Sequence, residues 1–198
     1  DFSNNLSEIK FTVYYDPQSA IFSHKPANEQ SIFYCSIENS FENEFIQVAV
    51  PQGCLADDIP FKYKMTPSTK YHSNIFQIHA NTEPLLDSIY ISIKPNNLPA
   101  HLQSKAMIAY QEGEAIKSAG GYYNKGQVET WFNKFGKFFV TTDLIPPRIM
   151  QCNIIKNKRF AGKVFSFRAS DNLSGIKEYN AYIDDQWILF EHDLKAHH

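Results

Sequence analysis

Alternation of apolar and polar residues recurs along most of the chain and predicts β-strands. The clearest case lies at residues 59–65, where Phe61, Tyr63 and Met65 share one side and two lysines occupy the other. This period of two is typical of a strand with one buried face. The same alternation predicts strands at residues 9–15, 32–37, 45–50, 74–80 and 88–94.

From residue 106 onward the pattern becomes a meander of short strands separated by glycine-containing turns. The predicted strands are 106–110, 115–123, 127–132 and 137–142. Short strands at intervals of roughly ten residues are typical of a sandwich or barrel. No segment carries a helical apolar stripe of useful length, although residues 99–105 can form one turn. The sequence therefore predicts an all-β fold.

A proline pair divides the chain. In Asp143-Leu144-Ile145-Pro146-Pro147 the prolines lack the N–H that a strand ladder needs and keep Ile145 extended. We therefore predict a β-sandwich module at 1–145, a linker at 143–147 and a second module at 148–198. Four strands follow the linker, at 148–155, 164–169, 176–183 and 186–190, where an immunoglobulin-type sandwich needs about seven. The predicted fold class is all-β, with two β-sandwich, immunoglobulin-like modules in tandem and the second incomplete, which would leave an open edge.

Composition and charge narrow the range of partners. The 198 residues include 16 Phe and 11 Tyr, which suit half-buried pleated surfaces, and the net charge is −2. The chain has no basic stripe, so we expect no nucleic-acid partner. No apolar run approaches the ~18 residues of a membrane span, and we expect none in this chain. The first residues lack the basic and apolar regions of a signal peptide. Because a chain that begins on Asp looks like an internal cut, we expect a targeting segment and other domains upstream of Asp1.

The three cysteines are too few and too unevenly placed for a disulfide framework or a zinc ribbon. Cys35 alternates with Phe33 and Ile37, and Cys152 with two further apolar residues, so we expect both in the core. A bond between Cys35 and Cys54 is geometrically conceivable but does not follow from the sequence. Cysteine usage therefore leaves the redox compartment open.

Acidic and histidine clusters are the candidate metal sites of this sequence. Asp57-Asp58, Asp171 and Asp184-Asp185 could offer oxygens to calcium, but they lack the dense spacing of a known calcium loop, and Asp is common in turns for its local backbone bonding. A C-terminal group of His192, Asp193, His197 and His198 could chelate loosely, but an exposed hairpin end or a tag remnant explains it better. We predict no metal site, no cofactor and no catalytic residue in this chain, which also lacks a nucleophile elbow, a phosphate loop and a dinucleotide fingerprint.

Aromatic residues offer a different kind of site. Five of them could form a stacking platform for sugar rings: Tyr122, Tyr123, Trp131, Phe132 and Trp187. Aromatic side chains in strands are more often core residues. We take Tyr122, Tyr123 and Trp131 as possible ligand-binding residues, with Tyr122 and Trp131 favoured for a glycan.

Several short motifs occur in a recognisable order. They are Leu55-Ala56-Asp57-Asp58-Ile59-Pro60-Phe61, Gly120-Gly121-Tyr122-Tyr123, Phe135-Gly136 through Pro147, Ser170-Asp171-Asn172-Leu173-Ser174-Gly175-Ile176-Lys177 and the hairpin from Tyr182 to Glu191. Together they resemble the C-terminal immunoglobulin-like region of exported lysostaphin-type (peptidoglycan) zinc endopeptidases from Gram-negative bacteria. The resemblance extends from about Leu55 to the end of the chain.

The resemblance implies a non-catalytic part of a peptidase. That family holds zinc with a His, an Asp four residues later and a His from a His-x-His pair. No His-x-His occurs here, and the residues four after the histidines that have one are Asn28, Phe76, Glu83, Lys105 and Ala196. Zinc would thus be bound only in a separate catalytic domain.

The expected function is that of an accessory or targeting module of a cell-envelope endopeptidase, exported to the periplasm or cell surface. Its expected partners are peptidoglycan, another glycan or an adjacent peptidase domain. The alternative is an independent carbohydrate- or protein-binding surface domain. We expect this chain by itself to hydrolyse nothing.

Overall fold

The computed structural model describes residues 31–154, 162, 164–189 and 191. The predicted strand at 9–15 and the histidines from His192 onward lie outside them. Within the described residues the fold is all-β, as predicted, with one short 3-10 helix, Ala100–Lys105. The strands are β1 (Ile32–Phe33), β2 (Asn39–Glu42), β3 (Ile46–Val50), β4 (Ile59–Pro60), β5 (Tyr63–Thr66), β6 (Ile75–Ile78), β7 (Pro84–Ile93), β8 (Ala106–Glu112), β9 (Ala115–Gly120), β10 (Tyr122–Asn124), β11 (Gln127–Lys134), β12 (Gly136–Thr142), β13 (Arg148–Gln151), β14 (Phe167–Ser170), β15 (Ala181–Ile183) and β16 (Gln186–Ile188).

Two antiparallel five-stranded sheets form the sandwich. The front sheet has the strand order β10-β11-β7-β3-β2, and the back sheet has the order β5-β6-β12-β8-β9. Strands β1 and β4 pair as a small two-stranded sheet beside them. The strand pairings within the two sheets are antiparallel, both between successive strands such as β5 and β6 and between strands that are distant in the chain, such as β7 and β11.

The core lies between the two sheets and is built by the predicted alternation. In the front sheet Ile89, Ile91 and Ile93 are buried while Tyr90 between them is not. In the back sheet Phe138 and Val140 are fully buried. Side chains from both sheets belong to one contiguous apolar cluster. Full burial of a side chain of this size contributes about 1.5–3 kcal/mol, so this cluster is the main source of stability.

A glycine pair carries the chain from one sheet to the other. Strand β9 ends at Gly120 in the back sheet, and β10 begins at Tyr122 in the front sheet. Gly121 has a φ of 101°, and a Cβ built on it would lie 2.5 Å from the carbonyl oxygen of Glu129. Only glycine tolerates both that backbone conformation and that approach. The pair therefore divides the predicted strand 115–123 in two and sets where β10 lies beside β11.

The predicted strand at 32–37 ends early, because a side chain competes with the sheet for its backbone. The Tyr34 N–H donates to Oδ1 of Asn39 at 2.8 Å, and the Asn39 amide donates to the carbonyls of Tyr34 and Ile37 at 2.8 and 3.0 Å. This local bonding produces a turn after Phe33. Ile37 is 52% exposed as a result, whereas Cys35 still packs against the core.

The three cysteines are free thiols. Cys54 is buried, and its Sγ donates to the Asp87 carbonyl at 3.2 Å. Cys152 is exposed, so the prediction that it lies in the core was wrong. The reason is that the β13–β14 hairpin buries neither of its sides: every residue of both strands is exposed, including Met150, which was expected to share the buried side with Cys152.

Two separate hairpins follow the sandwich. Strands β13 and β14 pair with each other, and β15 pairs with β16 over the predicted Asp184-Asp185 turn. Both turn residues have positive φ, 48° and 61°, as a type I′ hairpin requires. No strand residue lies between Thr142 and Arg148. The Asp143 carboxylate accepts a hydrogen bond from the Ser174 N–H at 2.8 Å, so the proline-containing stretch and the Asp171 loop are in contact. The division into two modules remains a prediction.

Candidate ligand-binding face

The outer side of the front sheet carries a compact group of aromatic and polar side chains. The register places Trp131 opposite Tyr90, and Glu129 opposite both Ser92 and Tyr122. Since alternate residues of a strand point to the same side, the residues that flank buried Ile91 and Thr130 point away from the core. We call the outward side chains of Tyr90, Tyr122, Glu129 and Trp131 the aromatic face.

Two of these rings are open to solvent. Trp131 is 60% exposed and Tyr122 is 63% exposed. The Trp131 ring lies against Tyr90 with a centroid distance of 5.5 Å and an interplanar angle of 55°. Tyr122 is diagonal to Trp131 across β10 and β11, a relation that spans ~7–8 Å between Cα atoms. The rings thus form a neighbouring pair and a third member on three adjacent strands.

Polar groups lie beside the rings, on the same side of the sheet. Asn124 donates from Nδ2 to both carboxylate oxygens of Glu129, at 3.2 and 3.4 Å. Ser92 donates to Oε1 of Gln127. Burial raises the pKa of the Tyr90 phenol, the hydrogen bond with Ser92 opposes this, and the negative charge of Glu129 adds to it. The aromatic face therefore carries an oriented carboxylate and a neutral phenol beside its rings.

The predicted ligand-binding residues separate between the two sides of the sheet. Tyr122 and Trp131 both belong to the aromatic face, whereas Tyr123 is half-buried and packs against the core. Phe132 also points inward, with its ring 4.7 Å from that of Tyr110. Trp187 lies on β16, outside the front sheet, and its Nε1 donates to Asn180. Sequence reasoning missed Tyr90, because only the pairing of β7 with β11 brings it beside Trp131.

Two of the acidic residues that are candidate calcium ligands accept hydrogen bonds from backbone N–H groups in the described structure. Asp58 accepts from the Cys35 N–H at 2.8 Å. Asp171 accepts from the N–H groups of Leu173 and Gly175 at 2.9 and 2.8 Å, as an Asp at the start of a loop commonly does. Among the described residues no three His, Cys, Asp or Glu side chains form a group that could hold a metal ion.

The back sheet has a polar depression of about 210 Å³ on its outer side, lined by Gln77, Asn81, Gln111, Gly113, Gly136 and Lys137. Two of its amides are already engaged with the backbone. Gln77 donates to the His79 carbonyl, and Gln111 donates to the Gly113 carbonyl at 2.9 Å. The depression contains no aromatic side chain, so it offers less apolar contact than the aromatic face.

One histidine is part of the core rather than of either surface. His79 is 5% exposed and lies between the rings of Phe61 and Phe135, at centroid distances of 6.3 and 5.2 Å. Its Nδ1 accepts from the Lys62 N–H at 3.3 Å. Burial lowers the pKa of His79, so the neutral form is favoured in the folded protein.

The fold defines the class of protein: a β-sandwich domain of two antiparallel five-stranded sheets. Residues 30–143 match the Zu5-like domain family, which is more than half of the chain, and the chain belongs to that family. The matched range ends at Asp143, where the predicted linker begins. Comparison with curated proteins and with solved structures gave no match. Within the described part of the chain, no helix has the length and hydrophobicity that a membrane crossing requires.

Proposed function

We propose that the chain is a non-catalytic targeting module that holds a lysostaphin-type zinc endopeptidase at the bacterial cell envelope. The observation that carries the binding part of this proposal is the aromatic face. Trp131 and Tyr122 expose large rings on paired strands, and neither ring is part of the buried core. Exposed apolar groups rimmed by polar residues commonly mark interaction sites. The association with a peptidase and the location at the cell envelope rest on the sequence resemblance to lysostaphin-type endopeptidases.

The contact between two of the resembling motifs supports the proposal. Asp143 belongs to the motif that ends in two prolines, and Ser174 belongs to the Asp-Asn-Leu-Ser-Gly loop 31 residues later. The Asp143 carboxylate also accepts from the Ile145 N–H at 3.0 Å. Burial raises the pKa of Asp143, but the hydrogen bonds from Ser174 and Ile145 outweigh it and lower the pKa overall. Two of the motifs that carry the resemblance are therefore joined by a hydrogen bond in the fold.

Binding without hydrolysis is the behaviour that tests the proposal. The purified chain is incubated in zinc buffer with Gram-negative cell-wall sacculi and, separately, with a cross-bridge peptide. We expect the chain to sediment with the sacculi and to release no soluble fragments above a heat-killed control. Release of fragments would make the chain an enzyme, and absence from the pellet would remove the targeting role.

The second candidate is an independent carbohydrate- or protein-binding surface domain, which the aromatic face would serve equally well. The two candidates differ in what precedes Asp1 in the parent gene. A zinc-binding His, an Asp four residues later and a His-x-His pair encoded upstream would support the targeting module. A coding sequence that lacks them would favour the independent domain.

A further inference from the structure

We propose that the aromatic face binds the pyranose rings of an uncharged glycan, through stacking on Trp131 and Tyr122 and hydrogen bonding to Glu129. This inference rests on the proposed targeting function and names the ligand that the module would recognise. It concerns only the outer side of β7, β10 and β11.

The rings match the apolar side of a sugar. A pyranose ring presents a flat patch of C–H groups, and an exposed indole or phenol offers a flat surface of similar size. Trp131 is available for such contact because Tyr90 supports it from one side and leaves 60% of the residue exposed. Tyr122 lies one strand away on the same side, so a second sugar ring of the same chain meets a second aromatic surface.

The polar groups match the hydroxyl rim of a sugar. A carboxylate accepts hydrogen bonds from two hydroxyls at once, and Glu129 lies between Tyr122 and Ser92 in the cross-strand row. Asn124 donates to both of its oxygens and so holds the carboxylate in one orientation. Ionised acceptors form the stronger class of hydrogen bond.

The charge of the aromatic face selects against polyanions. Its one charged group is the Glu129 carboxylate, and the face has no Lys or Arg among its four members. A phosphate or carboxylate brought beside Glu129 would be repelled, whereas a neutral hydroxyl donor would be attracted. An uncharged glycan therefore fits better than a nucleic acid, an anionic lipid or an acidic polysaccharide.

The backbone under the aromatic face is ordered before any ligand arrives. Trp131 and Glu129 belong to an eight-residue strand that pairs with β7 at both positions and with β10 at Glu129, and Gly121 fixes the approach of β10 to it. Binding therefore orders few groups, which lowers its entropic cost.

The test compares two exposed tryptophans. Trp131→Ala removes the centre of the aromatic face, and Trp187→Ala is the matched control because Trp187 is 57% exposed on a separate hairpin. Each variant of the full chain is titrated calorimetrically with a pentamer of N-acetylglucosamine, with cellopentaose and with polygalacturonate. We expect the wild-type chain to bind at least one of the two neutral oligosaccharides and to bind polygalacturonate more weakly. We expect Trp131→Ala to lose at least tenfold in affinity, Tyr122→Ala to lose several-fold and Trp187→Ala to stay within twofold.

Several outcomes would overturn the inference. One is unchanged affinity in Trp131→Ala, and another is an equal loss in Trp187→Ala. A third is tighter binding to polygalacturonate than to either neutral oligosaccharide, and a fourth is no binding to any of them. Near-ultraviolet circular dichroism and the melting temperature of each variant confirm that it is folded.

Binding to sacculi separates this inference from the proposed function. If the wild type sediments with sacculi but binds no neutral oligosaccharide, or binds one no better than Trp131→Ala does, the glycan inference fails and the targeting function stands. If the wild type binds a neutral oligosaccharide through Trp131 but not sacculi, the targeting function fails while the glycan inference holds for an independent domain.

Discussion

Replacing Gly121 with alanine tests the crossing between the two sheets. The substitution has two costs, which the structure allows to be separated. A non-glycine residue at a φ near 101° carries a backbone strain of about 1–3 kcal/mol. The new Cβ would also lie 2.5 Å from the Glu129 carbonyl oxygen, and relieving that overlap requires backbone movement of a kind that costs about 1–3 kcal/mol.

Gly126→Ala is the matched control. Gly126 has a φ of 99°, nearly the same as Gly121, but a Cβ there would meet nothing within 4 Å. Its cost is therefore the backbone strain alone. Both substitutions also reduce the entropy of the unfolded chain to the same extent, and this effect cancels in the comparison. We expect Gly121→Ala to lower the free energy of unfolding by about 1–3 kcal/mol more than Gly126→Ala does.

Equilibrium unfolding in urea, followed by far-ultraviolet circular dichroism, measures this difference. We expect both variants to keep the wild-type dependence on denaturant, because the surface exposed on unfolding changes little. Equal destabilisation by the two substitutions would refute the reasoning. It would mean that β10 moves away from β11 at no cost and that the close approach at Gly121 does not position Tyr122.

Two other substitutions address the core. Thr130→Val removes the buried hydrogen bond from Oγ1 to the Ala119 carbonyl, 2.7 Å long, and should cost about 1–3 kcal/mol in urea unfolding because the carbonyl is left unpaired. Thr66→Val, at an exposed position of the edge strand β5, should change stability by no more than about 0.5 kcal/mol, and an equal effect of the two would contradict the assignment. Because burial lowers the pKa of His79 below its usual 6.5, the unfolded chain binds a proton more readily, so stability should fall as pH decreases below about 6.5. The test substitution is His79→Asn, because Asn tolerates the φ of 48° at this position. Between about pH 8 and pH 5, the free energy of unfolding measured in urea should fall less in His79→Asn than in the wild type. Identical pH profiles would exclude His79 as the responsible group.

Most of the sandwich could be predicted from local alternation, because one side of each main strand is buried. The run from Ile89 to Ile93 shows this directly, since its three isoleucines all face the core. Alternation did not predict where a strand ends when a side chain forms hydrogen bonds with the backbone in place of the neighbouring strand. Nothing in the period of Phe33, Cys35 and Ile37 indicates that Asn39 bonds back to Tyr34 and Ile37 and ends the strand.

The aromatic face could be predicted only in part, for a related reason. Tyr122 and Tyr123 are adjacent, so exactly one of them had to face outward if the segment was a strand, but the sequence does not say which. The answer depends on the register that the glycine pair imposes on β10. Tyr90 was missed because its partner Trp131 is 41 residues away, and such a pairing is decided by the whole sheet rather than by either strand.

The alternation along β11 has a consequence for how this family can diverge. Trp131 lies between Thr130 and Phe132, which both point to the core side, so stability and surface chemistry are encoded at interleaved positions of one strand. Substitutions at the outward positions change few buried contacts and should be nearly neutral for folding. Selection can therefore alter or erase the chemistry of this surface in one descendant while the interleaved residues preserve the same scaffold.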